Sequence, residues 1–403
     1  MQPKDATVIE KPLCTGCSAC LNICPVQAIN MLPDEEGFRY PLVDSEKCTE
    51  CGMCRETCPV INPTRRDNFK YCLVYAGWSR DEEIRLSSTS GGVFSEIAEH
   101  IVRLGGYVAG ARYGDNHRIE HCLVDSSAGL VRIRQSKYAQ SDIGLIYGDI
   151  KSLLDCGKSV LFCGTPCQNA GLFRFLGKDY ERLVLCDFIC RGVNSPTVYE
   201  SYLRMLEGWY GSKIDFVKFK DKTYGWNNFS TLVRFTNGRR YLEDRYSDPY
   251  MIGYLRHNVY LRPSCYDCKF KMVPHLADIT LGDFWGIAKT RPHLDEDKGT
   301  SVIMINSDKG RKVFEGIKPG IRWEACTLRE VSDGNPCLAK SVARSERRDE
   351  FFAELRNRGF EAAMTKLEGR QNLPGRLKWA VKEMRRWLKD ASEKGLRISL
   401  RRT

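Results

Sequence analysis

Apolar and polar residues alternate along residues 28–43, on both sides of the turn sequence Pro33-Asp34-Glu35-Glu36-Gly37. A period of two residues is typical of a half-buried strand, and Pro, Asp and Gly are typical of the turn between two such strands. The pattern therefore predicts a β-hairpin that closes a small N-terminal domain.

Beyond residue 68 the pattern changes to short, continuous apolar runs, which are typical of buried strands. We expect strands at residues 72–77, 107–112, 159–163 and 183–188. Between the first two, Val93, Ile97 and Ile101 recur at helical spacing and predict a helix. Because strands and helices alternate, the body of the chain is predicted to be an α/β fold.

The chain has 403 residues, of which 42% are apolar. At roughly 100–200 residues per domain, this length predicts two to four domains with buried cores. The sequence contains no run of 18 apolar residues, and residues 1–5 lack the charged-then-apolar profile of a secretory signal. We therefore expect a cytoplasmic protein whose cysteines are reduced.

The number of cysteines changes this picture, because the chain has 19 of them. Eight lie in the first 58 residues, in two runs of spacing C-x2-C-x2-C-x3-C-P that begin 34 positions apart. This is the spacing of bacterial ferredoxins with two 4Fe-4S clusters. Zinc sites or disulfide bonds are the alternatives, although a zinc site does not require this fourfold spacing twice.

In such ferredoxins the fourth cysteine of each run binds the cluster of the other run. The first set of cysteines is then Cys14, Cys17, Cys20 and Cys58. The second set is Cys48, Cys51, Cys54 and Cys24. Two neighbouring clusters carry electrons but form no bonds, so we expect the chemistry to lie further along the chain.

Two polar segments of the predicted core are candidates for cofactor binding. The Ser/Thr/Gly-rich turn at residues 87–92 opens a helix and suits a phosphate group, although an ordinary helix N-cap has the same composition. Residues 135–141 combine a lysine, a tyrosine and two serines, which is a weaker indication of a cofactor pocket.

A third group of cysteines follows in the core. Cys167 and Cys190 each come after a short predicted strand, where functional groups of α/β sheets gather. Cys265 and Cys268 could complete a metal site with them, although Cys-x-x-Cys also occurs in redox and zinc motifs. The remaining seven cysteines, which include Cys337, are expected to be packing residues.

These motifs occur in a specific order. The two ferredoxin runs precede Ser-Ser-Thr-Ser-Gly-Gly, Ser-Lys-Tyr-x-Gln-Ser, Phe-x-Gly-Thr-Pro-Cys-Gln, Cys-x-Gly-Val-x-Ser-Pro, Cys-x-x-Cys and Ala-Asp-Ile-x-x-Gly-Asp-x-Trp-Gly. The ordered set resembles the beta-subunit family of the coenzyme F420 (deazaflavin) hydrogenases and dehydrogenases, which also includes 7-hydroxymethyl chlorophyll a reductase. The resemblance covers residues 14 to about 335.

The resemblance implies an iron–sulfur flavoprotein with FAD in the core and a third 4Fe-4S cluster beside it. The third set of cysteines, which would bind that cluster, is Cys167, Cys190, Cys265 and Cys268. The residues that would contact the flavin are Ser88, Ser90, Gly91, Gly92, Lys137, Tyr138 and Ser141.

The predicted fold is thus an α+β ferredoxin-like domain with two 4Fe-4S clusters, followed by an α/β flavin-binding core and a C-terminal helical tail. The ferredoxin domain is assigned to residues 1–66. The two parts of the core are assigned to residues 67–155 and 156–340, and the tail to residues 341–403.

The tail carries most of the net charge of +11, because residues 370–403 contain eleven Lys or Arg and three acidic residues. Leu377, Val381, Met384 and Leu388 recur at helical spacing and predict a basic amphipathic helix. Such a helix packs on its own domain, docks on an acidic protein such as a ferredoxin, or lies on an anionic membrane surface. Nucleic acid is not expected, because no binding module accompanies the charge.

The expected function is that of an oxidoreductase. Clusters accept one electron at a time, whereas a flavin collects two and passes them on to the deazaflavin coenzyme or a small organic molecule. The expected partner is a ferredoxin or another redox protein. The alternatives are a non-catalytic electron-transfer subunit of a larger complex and a scaffold that has lost its flavin.

One residue departs from the family pattern, since the family usually has Cys-His-Gly where this chain has Cys190-Arg191-Gly192. A permanent cation beside a cluster ligand stabilises the more negative, reduced cluster. We predict that Arg191→His lowers the midpoint potential of that cluster, as measured by redox titration of the purified protein. Equal potentials in the two proteins would contradict this assignment.

Overall fold

The computed structural model describes residues 8–66 and 68–369. In this part of the chain, no helix is long and apolar enough to cross a membrane. The amphipathic helix predicted for the basic tail lies outside the described residues.

The N-terminal domain consists of two cysteine loops and the predicted hairpin. Strands β1 (Ile29–Pro33) and β2 (Arg39–Val43) pair antiparallel, which confirms the hairpin. Asp34 forms its turn, because its Oδ1 accepts the N–H groups of Glu36 at 3.0 Å and Phe38 at 2.9 Å. Short helices follow the loops, namely α1 (Ala19–Ile23) and α2 (Met53–Glu56).

The rest of the described chain contributes eleven strands in two further sheets. They are β3 (Leu73–Ser79), β4 (Tyr107–Tyr113), β5 (Ile119–Val124), β6 (Val160–Cys163), β7 (Leu183–Phe188), β8 (Ile214–Asp221), β9 (Ser230–Phe235), β10 (Arg240–Asp244), β11 (Ile279–Asp283), β12 (Ser301–Ile305) and β13 (Ile321–Cys326). The larger sheet has the order β13-β3-β12-β11-β7-β6-β4-β5, and the smaller one has the order β10-β9-β8.

The large sheet is parallel in the middle and antiparallel at its sides. Strands β11, β7, β6 and β4 run parallel, whereas β5 at one side and β12, β3 and β13 at the other are antiparallel to their neighbours. The four strands predicted from apolar runs are β3, β4, β6 and β7. The core is therefore a mixed α/β fold, and the expected boundary at 155/156 falls within this single sheet.

Eleven further α-helices lie in the described residues. They are α3 (Glu82–Ser87), α4 (Val93–Arg103), α5 (Ser127–Ile133), α6 (Ile146–Asp155), α7 (Pro166–Leu176), α8 (Pro196–Tyr210), α9 (Pro249–Leu255), α10 (Ile287–Thr290), α11 (Asp308–Ile317), α12 (Leu328–Gly334) and α13 (Arg348–Leu367). The helix predicted from Val93, Ile97 and Ile101 is α4.

Helices cover both faces of the large sheet. On one face, Ile97 of α4 and Phe314 of α11 pack with the apolar strand residues. On the other face, Tyr147 of α6 and Leu172 of α7 pack against Phe162 of β6. Because these side chains are at most 1% exposed, each contributes about 1.5–3 kcal/mol of burial free energy.

The small sheet belongs to a second apolar core with helices α8, α9 and α13. Its centre is aromatic, with the ring of Tyr202 stacked on Tyr250 at 5.0 Å and edge-on to Phe360 at 5.5 Å. Helix α13 bends at Gly359, whose φ of +83° lies in the left-handed region. The helix falls in the expected helical tail, but its apolar face packs in this core.

Helix α7 joins the N-terminal domain to the large sheet. Its N-terminus is held by Thr165, which forms a capping box with Gln168. Halfway along the helix, Gly171 faces the first cysteine loop, and a Cβ atom there would lie 3.0 Å from both Cβ and Sγ of Cys17. A glycine therefore lets the loop approach the helix without the tight contact that any side chain would make.

We predict that Gly171→Val destabilises the protein by about 1–3 kcal/mol, because added methyl groups overpack the contact with Cys17. Gly208 of α8 is the matched control, since it is exposed and a Cβ atom there meets nothing within 4 Å. The midpoint of thermal unfolding should be lower for Gly171→Val than for Gly208→Val. Equal midpoints would show that the contact with Cys17 is loose.

Candidate electron-transfer site

The first set of cysteines lies buried between the N-terminal domain and the core. Cys14, Cys17 and Cys58 are 7–8% exposed, and Cys20 is 9% exposed. Burial raises the pKa of the Cys17 thiol to about 12, with smaller contributions from Cys14 and Cys58. The four thiols thus share one desolvated site, and a cluster bound there must displace their protons.

The second set of cysteines is closer to solvent. Burial raises the pKa of Cys54, and the neighbouring Cys48 and Cys51 add to the rise, so these three thiols lie together. Cys24 packs with Cys54 against the same small apolar cluster. Cys51 is exposed, whereas the other three are half-buried, so this set is the more accessible of the two.

The third set of cysteines lines one cavity of the core, although its members come from three separate segments. Cys167 is in the first turn of α7 after β6, and Cys190 follows β7. Cys265 and Cys268 belong to the segment after α9. Burial raises the pKa of Cys167 far above its usual value, and each of the other three thiols adds to the rise.

The lining of this cavity fits a negatively charged group. Arg191 and Lys271 lie in its wall, and none of its lining residues is an aspartate or glutamate. The Val193 N–H donates to Sγ of Cys265 at 3.5 Å. The buried Nε2 atom of His275, which also lines the cavity, has no partner within the described residues. Two cations and a backbone N–H group beside four thiols suit an iron–sulfur cluster.

Arg191 is held by contacts on the side of α9. Its Nη2 donates to the carbonyl oxygen of Leu255 at 2.9 Å and to Oδ1 of Asn258 at 2.6 Å, and its Nη1 lies 3.9 Å from Sγ of Cys337. These bonds fix the charge of Arg191 at the cavity wall.

Among the described residues, no group of three or more His, Cys, Asp or Glu side chains is close enough to hold a single metal ion. The cysteines of each set are grouped because they are buried together, influence the pKa values of one another or line one cavity. Their assignment as cluster ligands remains a prediction.

The Ser/Gly turn predicted to contact a flavin lies at the end of the large sheet. Gly92 is the N-cap of α4 with a φ of +86°, and no side chain caps this helix. Ser90 Oγ donates to the Thr300 carbonyl oxygen at 3.0 Å, and the Gly91 N–H donates to Ser301 at 2.9 Å. The hydroxyl of Ser88 is buried without a partner in the described residues, so it is free to meet a ligand.

The second predicted segment runs from this turn toward the cysteine cavity. The Ser136 N–H donates to Thr89 Oγ1 at 2.8 Å, which joins the two segments. Lys137 is half-buried, and desolvation lowers the pKa of its ammonium group to about 7. Gln140 lines the cysteine cavity, and Ser141 accepts a hydrogen bond from Gln168 Nε2 at 3.0 Å.

Tyr138 lies apart from the other predicted flavin residues. Its ring packs edge-on against Phe219 and Tyr254, each at 5.4 Å, in the aromatic core of the small sheet. The structure therefore brings the Ser/Gly turn and Lys137 into neighbouring segments, and it places Ser141 nearer to the third set of cysteines.

A cationic group that the sequence motifs do not indicate lies beside the Ser/Gly turn. Lys222 Nζ donates to the carbonyl oxygens of Ser90 at 2.6 Å and Arg85 at 2.6 Å. Lys220 is paired with Asp283, which also accepts the indole N–H of Trp226 at 3.0 Å. Asp283 belongs to the Gly-Asp-x-Trp-Gly motif, but the lysines lie at the end of β8, and only the tertiary fold brings them to the turn.

Cys337 was expected to be a packing residue, yet it lines the cavity of the third set. Its carbonyl oxygen accepts a hydrogen bond from Lys271 at 2.6 Å, and Lys271 also donates to the Cys190 carbonyl oxygen at 2.6 Å. Cys337 stands alone in the sequence, without a neighbouring cysteine, and therefore gave no spacing signal.

Two family models match this chain, one in the N-terminal domain and one in the core. Residues 13–62 match the model of a 4Fe-4S dicluster domain, and this range contains both ferredoxin runs. Residues 157–330 match the model for the C terminus of the coenzyme F420 hydrogenase/dehydrogenase beta subunit. Residues 157–330 belong to that beta-subunit family. The family expected from the order of motifs is confirmed, and the matched range includes all four cysteines of the third set.

A solved structure gives a more distant likeness to this chain. A chain of the F420-reducing NiFe hydrogenase complex from Methanosarcina barkeri is 18% identical, with a TM-score of 0.43. The alignment covers 75% of this chain and 93% of that chain. No curated protein matches the sequence. The domain content is that of a redox protein of the oxidoreductase type.

We predict that Cys268→Ser lowers the iron content of the anaerobically purified protein by about four atoms per chain, because a four-iron cluster loses a ligand. Cys337→Ser is the matched control, since Cys337 lines the same cavity. It should retain the native iron content. If Cys337→Ser loses the iron and Cys268→Ser retains it, the fourth ligand has been assigned to the wrong cysteine.

Proposed function

We propose that the protein is an iron–sulfur flavoprotein oxidoreductase that passes electrons between 4Fe-4S clusters and FAD, and on to a two-electron substrate. The observation that carries the proposal is the convergence of Cys167, Cys190, Cys265 and Cys268 in one cavity that Thr15 of the first ferredoxin run also lines. A cluster held in this cavity would be next to the first cluster of the N-terminal domain.

Contacts between the first and third sets support a continuous route for electrons. Burial raises the pKa of Tyr147, and both Cys17 and Cys167 add to the rise, so the phenol lies near both sets. Its hydroxyl donates to the Gln168 carbonyl oxygen at 2.8 Å. A path through protein atoms, which includes Tyr147, therefore joins the first set of cysteines to the third set.

The difference in exposure supports an order along this route. Cys51 of the second set is exposed, and the cysteines of the first set are buried. We place the second cluster at the outer end, where a ferredoxin or another redox protein would exchange electrons, and the third cluster at the inner end. The direction of electron flow depends on the reduction potential of the partner protein.

The Ser/Gly turn and the lysines beside it support FAD as the two-electron cofactor. The unpaired Ser88 hydroxyl and the uncapped N-terminus of α4 suit a diphosphate. Lys222 donates to three backbone carbonyl oxygens and adds positive charge beside the turn. Lys137 and Ser141 continue from this turn toward the third set. When bound, FAD would accept or donate two electrons at a time, whereas each cluster transfers one.

The substrate is proposed to be the deazaflavin coenzyme or a small organic molecule. The family of residues 157–330 supports the coenzyme, because its name refers to enzymes of coenzyme F420. The same family match also favours a second candidate, namely an electron-transfer subunit whose chemistry occurs in another protein.

Anaerobic purification with iron, sulfide and flavin quantitation tests the proposal. We expect about twelve irons, from three four-iron clusters, and one FAD per chain. Turnover is then measured with the deazaflavin coenzyme, ferredoxin, NAD(P)H and a reducible organic substrate.

Protein with clusters but no flavin would refute the proposed function. About eight irons per chain would show that the third cluster is absent. Flavin and clusters without turnover of any small molecule would identify the electron-transfer subunit instead.

A further inference from the structure

Arg262 is a fully buried cation at the contact between the N-terminal domain and the core. Its exposure is 0%, and its guanidinium group lies 4.2 Å from the centroid of the Tyr40 ring. Burying a charge is unfavourable unless an opposite charge compensates it. The question is therefore which group compensates Arg262.

The hydrogen-bond partners of Arg262 are uncharged oxygen atoms. Nε donates to the Cys14 carbonyl oxygen at 2.7 Å, Nη1 to the Gln140 side-chain oxygen at 2.8 Å, and Nη2 to the Arg39 carbonyl oxygen at 3.0 Å. Within the described residues, no carboxylate forms an ion pair with it. The other buried arginines differ, since Arg85 pairs with Glu296 at 2.6 Å and Arg348 pairs with Glu36.

Two carboxylates that lie near Tyr40 already have other cations as partners. Asp34 and Glu36 both influence the neighbouring Tyr40. Asp34, however, pairs with Lys11 at 3.0 Å, and Glu36 pairs with Arg348. The charge of Arg262 thus remains without a compensating carboxylate in the part of the chain that the structure describes.

Arg262 instead contacts a cysteine of the first set and a cysteine of the third set. Its Nε holds the backbone of Cys14 in the first set, and a Cβ atom on Gly16 of the same loop would lie 2.9 Å from its Nη1. On the other side, the Arg262 carbonyl oxygen accepts the N–H of Cys265 in the third set at 2.9 Å. The positive charge of Arg262 lowers the pKa of the half-buried Cys265 thiol, although desolvation raises it more.

We infer that Arg262 is a positioning residue shared by the first and third clusters, and that the net negative charge of the two clusters compensates its buried charge. This inference rests on the proposed function for the presence of the clusters. Arg262 holds the Cys14 loop against the turn at Pro263–Cys265, and its charge stabilises the reduced form of both clusters. Their potentials are therefore raised together, whereas the second cluster is unaffected.

Redox titration of the iron-loaded full chain, followed by electron paramagnetic resonance of the reduced clusters, tests this inference. In Arg262→Met we expect two of the three clusters to titrate at lower potential than in the native protein. The signal of the second set, with Cys48, Cys51 and Cys54, should not shift and serves as an internal reference. In Arg262→Lys, which keeps the charge, the potentials of these two clusters should return most of the way to their native values.

Arg85→Met is the matched control, because it removes another buried arginine, one that is paired with a carboxylate. It should leave the potentials of all three clusters at their native values. If Arg262→Met does not assemble its clusters, the comparison of Arg262→Lys with Arg262→Gln decides the question, since only the charged variant should retain native potentials and iron.

Three native potentials in Arg262→Met, an equal shift of all three, or loss of iron from Arg262→Lys and Arg262→Gln alike would overturn the inference. These outcomes do not depend on flavin or on turnover. A protein with clusters but no FAD would therefore refute the proposed function and leave the role of Arg262 to be decided by the titration.

Discussion

The packing of helix α7 is the constraint on which the arrangement of the cysteines depends. The helix begins at the carboxyl end of β6 and has Cys167 in its first turn, while Gly171 lets Cys17 of the N-terminal domain approach its backbone. Tyr147 lies near both of these cysteines. A rigid helix thus fixes the separation of two sets of cysteines that come from different domains, and in the proposed function this separation would control electron transfer between their clusters.

Positively charged side chains lie beside the first and third sets of cysteines. Arg191 and Lys271 lie at the wall of the third site, and Arg262 lies between the first and third sites. In a low-dielectric interior each cation interacts strongly with a nearby negative group. The proposed clusters would supply the negative charge that these three cations lack, and the cations would in turn favour the reduced forms of the clusters.

Much of the local structure could be predicted from the sequence. The alternation around Asp34 predicted the hairpin, and continuous apolar runs predicted β3, β4, β6 and β7. Strand β5 and strands β8–β13 were missed. In β8 and β9, exposed positions such as Asp215 and Arg234 interrupt the apolar run. Helix α13 lies in the segment assigned to the helical tail, but its place in the aromatic core depends on contacts with α8 and the small sheet that no local pattern encodes.

The sequence by itself determined the two ferredoxin runs and the family, because a cluster needs its thiols at fixed spacing within a loop and that spacing is visible in the chain. Tertiary structure alone decided which residues surround the proposed clusters. Arg262, Lys222, His275 and Cys337 have no neighbouring partner in the sequence. Each acquires its significance from contacts with residues far away in the chain, since burial and the electrostatic environment are properties of the folded protein.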